Sequence, residues 1–351
     1  MPFDHYISQV HLRKFYSPLL GDRLYAIRKS DLKAFTPNAK SVCAIDDGST
    51  NAYLSENRAI EEFLKSVEPN YNAAVDKLSA GKIDAECVYT VAGFVAYVAS
   101  CSPTAMRIQS GPLKASLEAA AATLDAQGLI RPSPSSLGGK TLTQLIESST
   151  VKFTVDPKYP QAIGIDSINR LITAFGNCEW EILHNEFPDN PFFTSDYPIA
   201  LEATGDARIL NKIVPLASNL AIRIKPGIRM ETRQADFSFN NFRSHSRTIS
   251  HHELVEINRL LVRCAEDAVF YRDHRPWIQP FIAKNRYYRV EAMTSRVPTA
   301  TGSLLISSQT IAANGRASPG AQHRKRLKPR QTAGSTIALH SNQFFMQVGR
   351  N

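Results

Sequence analysis

The stretch from Trp180 to Pro198 constrains this chain more than any other. It reads Trp180-Glu181-Ile182-Leu183-His184-Asn185-Glu186-Phe187, breaks at Pro188-Asp189-Asn190, and resumes as Pro191-Phe192-Phe193-Thr194-Ser195-Asp196-Tyr197-Pro198. Two aromatic-rich runs around a Pro-Asp-Asn turn signal predict a β-hairpin. With Phe187 opposite Pro191, His184 stands across from Thr194 and shares a face with Asp196, because strand side chains alternate with period two. A slip of one residue sets His184 beside Ser195 instead. Either register gathers a histidine, hydroxyls and a carboxylate where Pro198, which cannot donate to a ladder, ends the strand.

Residues before Trp180 read mainly helical, and those after Pro198 read as strands. Ser55 caps a helix over Glu56 to Val67, and Tyr71 to Leu78 stops at Gly81. The run from Cys87 to Met106 carries no charge. It is long enough to span a bilayer, but its Ala, Ser, Thr and Tyr content and Pro103 favour a buried core helix. Leu113 to Ala126 is a further helix ending at Gly128, and Tyr159 to Phe175 another, with a short strand at Lys152 to Val155 between them. Gly139-Lys140-Thr141 is not a phosphate loop, because the glycine required five residues earlier is Pro134. Beyond the hairpin, Ile209 to Leu216, Leu220 to Ile224 and Gly227 to Met230 have β-type apolar content. Ser250-His251-His252-Glu253 is a capping box opening a helix with Leu254, Ile257, Leu261 and Ala265 as its apolar stripe. His252 and Glu256 lie at i, i+4 there, but without the second histidine of a zincin they read as helix-surface residues. The fold class is therefore α+β: a helical N-terminal part, a mixed and mostly antiparallel sheet, and a late packing helix.

The 351 residues divide on this reading into a globular domain over 1–290, helical to 176 and sheet-rich from 177, and an extension over 291–351. Periodicity fades from Tyr287, and the run His323-Arg324-Lys325-Arg326-Leu327-Lys328-Pro329-Arg330 reads as a solvated basic tail. Net charge is −4 over residues 1–200 and +13 over residues 201–351, of which 301–351 contribute +7. That asymmetry points to nucleic acid or another polyanion as partner, or to a solvated basic face. The five cysteines are odd in number and scattered, which argues against a disulfide framework and for a reducing compartment. The N-terminus shows no secretory pattern, so a cytoplasmic location is expected.

Asp4-His5-Tyr6-Ile7-Ser8-Gln9-Val10-His11-Leu12-Arg13-Lys14-Phe15 is the second informative stretch. As a continuous helix it sets His5, Gln9 and Arg13 on one polar face and turns Ile7, Val10 and Phe15 to a core. With Ser8 as N-cap, His5 lies just outside a shorter helix that still carries Gln9 and Arg13. Both arrangements unite histidine, amide and guanidinium, a set suited to phosphate or carboxylate recognition and equally able to tie the N-terminus to the fold.

This segment resembles the opening of the bacterial family catalogued as domain of unknown function 4238, whose pattern is like His-aromatic-aliphatic-Pro-Gln-x-x-Leu-Arg-x-Phe. His5, Tyr6, Ile7, Gln9, Leu12, Arg13 and Phe15 fit it, and Ser8 stands where the family usually has proline. A second similarity, Phe-x-Thr/Ser-Ser-Asp-x-Pro after a Trp-containing strand, is carried by Phe192, Thr194, Ser195, Asp196 and Pro198 after Trp180, and a third by Asn258 early in the late helix. The resemblance covers residues from about 4 to about 275 and implies a shared fold and polar cluster without implying an activity.

These readings leave two function classes. In the first, a hydrolase acts on nucleic acid or a phosphorylated ligand. His5 would be its acid or base, Asp196 would orient His5 or bind a cation, Arg13 would hold the anion, and Gln9, Ser195, Thr194 and Asn258 would line the pocket. In the second, those residues lock the structure, and a non-enzymatic module binds nucleic acid or protein through Arg223, Lys225, Arg229, Arg233, Arg243 and Arg247 with Phe237, Phe239 and Phe242 interleaved. The sequence names no cofactor and no metal set.

Overall fold

A helical run over 59–176 followed by a sheet-rich second half agrees with the hydrophobic patterning, whereas the four short strands that open the chain are not signalled by it. A computed structural model describes residues 3–206, 209–227, 235–299, 302–313 and 346–349. The N-terminal part runs β1 (Phe3–His5), α1 (Gln9–Arg13), β2 (Tyr25–Arg28), β3 (Ala34–Phe35) and β4 (Ala44–Asp46). The helices α2 (Ala59–Val67), α3 (Tyr71–Ser79), α4 (Ala85–Cys101), α5 (Pro103–Ala126), α6 (Leu142–Glu147), α7 (Lys158–Asp166) and α8 (Ile168–Gly176) come next. The second half runs β5 (Glu179–His184), β6 (Thr194–Ser195), β7 (Ala200–Ala203), β8 (Leu210–Ala217), β9 (Leu220–Lys225), β10 (Arg243–Thr248), α9 (His251–Cys264), β11 (Ala268–Tyr271) and α10 (Ile278–Asn285). A long hairpin, β12 (Tyr288–Thr299) and β13 (Gly302–Ala313), and β14 (Met346–Gly349) complete it. The architecture is α+β, with every strand pair antiparallel among the described residues except β5 with β10.

The uncharged run becomes α4, capped by Asp84, whose side chain accepts from the Cys87 amide. Its Val91, Val95 and Val98 are sealed in the main core, where α3, α7 and α8 pack around it. The chain bends by 56° at Ser102 into α5, and among the described residues no single helix is long and apolar enough to cross a membrane. The long helix expected over Tyr159 to Phe175 is broken at Ser167 into α7 and α8, and Lys152 to Val155 is irregular rather than a strand.

The central hairpin does not form. Strand β5 lies inside the five-stranded sheet β10-β5-β9-β8-β7, whereas β6 belongs to the four-stranded sheet β3-β2-β11-β6. His184 faces Leu220 on one side and Thr248 on the other, and Thr194 faces Phe270. Both edges of β5 are taken, so a returning strand has no ladder to join. Asn185 instead turns the chain, accepting from the Phe187 amide and donating to the Asn190 carbonyl, and the Phe192 amide then donates to Ser218 O as the chain leaves for the second sheet.

Residues 291–299 and 302–313, where the sequence reads as aperiodic, are the paired strands β12 and β13 packed on α5. The basic run at 323–330, Gly227–Met230 beyond Gly227, and Arg229 and Arg233 lie outside the described residues.

Candidate functional site

Strand β1 pairs with β4 through His5↔Ala44, and four residues later α1 begins. Ser8 therefore occupies the N-cap position and His5 lies outside the helix. The cap is only positional: Ser8 Oγ is buried without a hydrogen-bond partner, at the position where the family pattern has proline. His5 donates from Nε2 to Lys40 O at 3.2 Å and accepts on Nδ1 from Gln9 Nε2 at 3.3 Å, a pairing that fixes the tautomer. Gln9 Oε1 accepts from the Arg13 guanidinium at 3.1 Å. His5 and Gln9 are half-buried and Arg13 is exposed, so this hydrogen-bonded strip opens to solvent. Phe3, 57% exposed, lies edge-on to His5 with ring centroids 6.1 Å apart.

Asp196 is not part of that strip. Its Oδ1 accepts from the Glu266 amide at 2.9 Å and its Oδ2 from the amides of Asp267 and Ala268 at 2.8 and 2.9 Å. Burial pushes the carboxyl up to about 6, against the pull of these three amides. The residue is a clasp for the loop between α9 and β11, and its hydrogen bonds do not run to His5. Ser195 is fully buried, and its Oγ accepts from the Tyr197 amide at 3.1 Å. Asn258 Oδ1 accepts from the Phe193 amide at 3.0 Å while its Nδ2 donates to Pro191 O at 2.9 Å, fixing the crossing segment to α9.

The histidine that Thr194 meets is His11. Fully buried and stacked on Phe94 at 4.8 Å between ring centroids, His11 contacts Tyr71 Oη through Nδ1 and Thr194 Oγ1 through Nε2, both at 2.8 Å. Burial pushes its imidazole down to about 3, so it is neutral in the fold. One ring nitrogen donates and the other accepts, and two hydroxyls can satisfy both. Sequence reasoning singled out His5 and passed over His11, although His11 is four residues from both Ile7 and Phe15 and shares their apolar face. Asp4 adds a third tie: it accepts from the Ser49 amide at 2.9 Å and from both terminal nitrogens of Arg58 at 2.9 and 3.2 Å. Burial works against its charge, but these donors win and hold the carboxyl below its usual range.

A charged network covers one face of the five-stranded sheet. Arg223 on β9 pairs with Glu181 and with Glu202 and Glu253, each at 2.9 Å, while Arg247 on β10 pairs with Glu181 and Glu253 at 3.2 and 2.6 Å. Glu253 is the residue that the Ser250 cap receives, its amide donating to Ser250 Oγ at 3.2 Å. Lys225 pairs with Glu181 and, at 3.2 Å, with Glu179. Burial opposes the charge on Glu181, but Lys225 and Arg223 bring its carboxyl down to about 2. The basic surface expected here is therefore largely neutralised. Phe239 is buried and Phe242 sits edge-on to Trp180 at 5.2 Å, leaving Phe237 exposed. Among the described residues, Glu179, Glu181 and His245 are the one set of His and carboxylate groups close enough to share a cation, their ligand atoms lying within 4.8 Å of one another.

Fold and site together define an α+β protein whose N-terminal segment is pinned into the sheets by buried polar clasps and carries an open His-Gln-Arg strip. The family model described as protein of unknown function (DUF4238) matches residues 4–275, and the chain belongs to that family. No curated protein and no solved structure matches it.

Proposed function

We propose that this protein is a non-enzymatic binding module for a phosphate-bearing ligand, single-stranded nucleic acid above all, gripped by the N-terminal strip. The observation that carries this reading is the open chain Arg13–Gln9–His5 beside the exposed Phe3, with Asp196 engaged elsewhere by three amides. Arg13 makes no ion pair among the described residues, and Gln9 holds it by a single hydrogen bond. Its planar fork suits a phosphate, with the Gln9 amide and the His5 ring steering it. Phe3 offers a ring face on which a base can stack, a contact worth roughly 1–3 kcal/mol. A hydrolase built on His5 would need a ring nitrogen free to exchange a proton with substrate, and both are spent, on Lys40 O and on Gln9.

Binding of labelled single-stranded DNA and RNA across a salt series tests this. Arg13→Ala should weaken binding about tenfold and flatten the salt dependence by roughly 0.7 in log–log slope, the share of one phosphate contact on a single strand. Phe3→Ala should weaken binding with the slope unchanged. Affinity indifferent to both substitutions in folded variants rejects the strip as the binding surface, and cleavage abolished by His5→Ala would restore the enzyme.

A further inference from the structure

We infer that the pocket where α9 meets the start of α10 is a binding site for a purine base, adenine above all. Leu254 and Val255 of α9 form one wall, Trp277 at the cap of α10 and Phe281 in its first turn form another, and Asn190 and His251 stand at one end. The pocket holds about 220 Å3. A cavity of about 150 Å3 takes up a benzene ring, so this one has room for a bicyclic ring. The site shares no residue with the N-terminal strip and does not rest on it.

The aromatic side of the pocket suits a flat ligand. Phe193 lies nearly parallel to Trp277, with 23° between the ring planes and 5.8 Å between centroids, and Phe281 stands at 87° to it, also at 5.8 Å. These two rings hold the indole in place, and its remaining surface, half-buried, lines the pocket. Together with the fully buried Leu254 and with Val255 it makes an apolar slot, and bases stack on aromatic side chains in such slots with little regard to sequence.

The polar end separates a purine from a plain hydrocarbon ring. Asn190 Nδ2 donates to His251 Nε2 at 3.1 Å, since an amide nitrogen can only donate. That bond fixes the amide plane and leaves the second N–H and Oδ1 of Asn190 without a protein partner among the described residues. One donor beside one acceptor is the pattern with which an asparagine reads N6 and N7 of adenine. The loop that carries this amide is itself held. Asn185 Nδ2 donates to the Asn190 carbonyl at 2.8 Å, and Arg275 pairs with Asp189 at 2.7 Å, stapling the loop to the segment that leads into Trp277. Asn258, which also lines the pocket, adds no second reading group, because its oxygen and nitrogen are engaged by the Phe193 amide and the Pro191 carbonyl. A mostly apolar pocket with one oriented polar group is the usual form of a small-molecule site.

Adenine is the probe, and the protein carries its own reporter. Of its two tryptophans, Trp180 is fully buried and donates to Phe175 O, so an emission change on titration comes from Trp277. Adenine added to the full chain should quench that emission saturably at millimolar concentration or below. Val255→Phe fills the pocket and should abolish the effect, with Val255→Met as the second variant should the first fail to fold. Asn190→Leu keeps the size of the side chain but not its amide, and should weaken binding about tenfold or more. The absence of saturable quenching, or quenching that survives in the filled pocket, would overturn the assignment. Equal affinity in a folded Asn190→Leu protein would overturn it too, since the pocket would then hold any apolar ring.

Discussion

Two buried titratable groups, His11 and Asp196, make the folded chain respond to acid in opposite senses. His11 is neutral in the fold at about 3 and reverts to its ordinary value of 6.5 on unfolding, so the unfolded chain binds the extra proton. The stability this withholds from the unfolded state is fully present above pH 6.5 and is lost as pH falls, by about 1.4 kcal/mol per unit. Asp196 runs the other way. Its carboxyl sits at about 6 in the fold against 3.8 as a free group, so the folded chain holds the proton and stability grows as pH falls from 6 to 3.8. The two slopes cancel over that window, and removing either group exposes the other. Denaturant unfolding of wild type and His11→Gln should show a stability gap that shrinks by about 1.4 kcal/mol per pH unit between pH 6 and 4. For Asp196→Asn the gap should widen over the same range, because the amide cannot gain the proton. A gap independent of pH for His11→Gln would mean that its ring is charged or solvated in the fold, contrary to its full burial between Tyr71 and Thr194.

At the scale of elements, the features legible in the sequence are those that depend on near neighbours. The Ser250 cap of α9 and the apolar content of α4 are settled within a few residues and both formed, although the capping box is only half made, the Glu253 carboxylate turning to Arg223 and Arg247. The partner of a strand is not local. Nothing between Trp180 and Pro198 tells that β9 and β10, from 36 residues or more downstream of their β5 partners, will take both edges of β5. The hairpin reading failed for that reason, and the placement of Asp196 failed with it. Helix packing is likewise set at a distance, and two glycines show it. A Cβ on Gly164 in α7 would lie 2.8 Å from Ser100 O and 3.1 Å from Ser100 C of α4, backbone that cannot yield without moving a core helix. A Cβ on Gly111 in the middle of α5 would meet nothing within 4 Å apart from its chain neighbours. Gly164→Ala should therefore destabilise by about 2 kcal/mol, in the range of core overpacking. Gly111→Ala should shift stability by less than about 1 kcal/mol, because the helix-propensity gain is opposed by Pro112, whose ring crowds a Cβ on the helical residue before it. Melting curves of the pair decide it, and equal shifts in one direction would refute the close α4–α7 contact.

At the scale of the molecule, the family match ends at residue 275, but the packing does not end there. Ile278 and Ile282 of α10 and Val290 at the start of β12 are at most 1% exposed. Arg107 of α5 ties these later residues to the centre: it donates to Glu266 at 2.8 and 3.0 Å, to Glu291 at 2.8 Å and to the Val290 carbonyl at 2.8 Å. Glu266 is one of the residues whose amides clasp Asp196, so the β12 strand braces the same loop that fixes the crossing segment. Lys29, next to β2, donates to Tyr288 O at 2.8 Å and to Ala265 O, and burial lowers its ammonium to about 8. Ending the chain at residue 275 would strip one acceptor from a buried lysine, remove two of the acceptors on Arg107 and uncover the cluster around Ile278 and Phe193. Lys29 keeps Ala265 O, so losing Tyr288 O costs about 1–3 kcal/mol, and the buried Ile278, Ile282 and Val290, at about 1.5–3 kcal/mol each, bring the loss to the order of a domain's whole stability. A chain of residues 1–275 should therefore lack a cooperative thermal transition and exchange its β11 amides rapidly, while the full chain melts cooperatively. A sharp transition and protected β11 amides in the shortened chain would show that the matched segment folds without α10 and the β12–β13 hairpin.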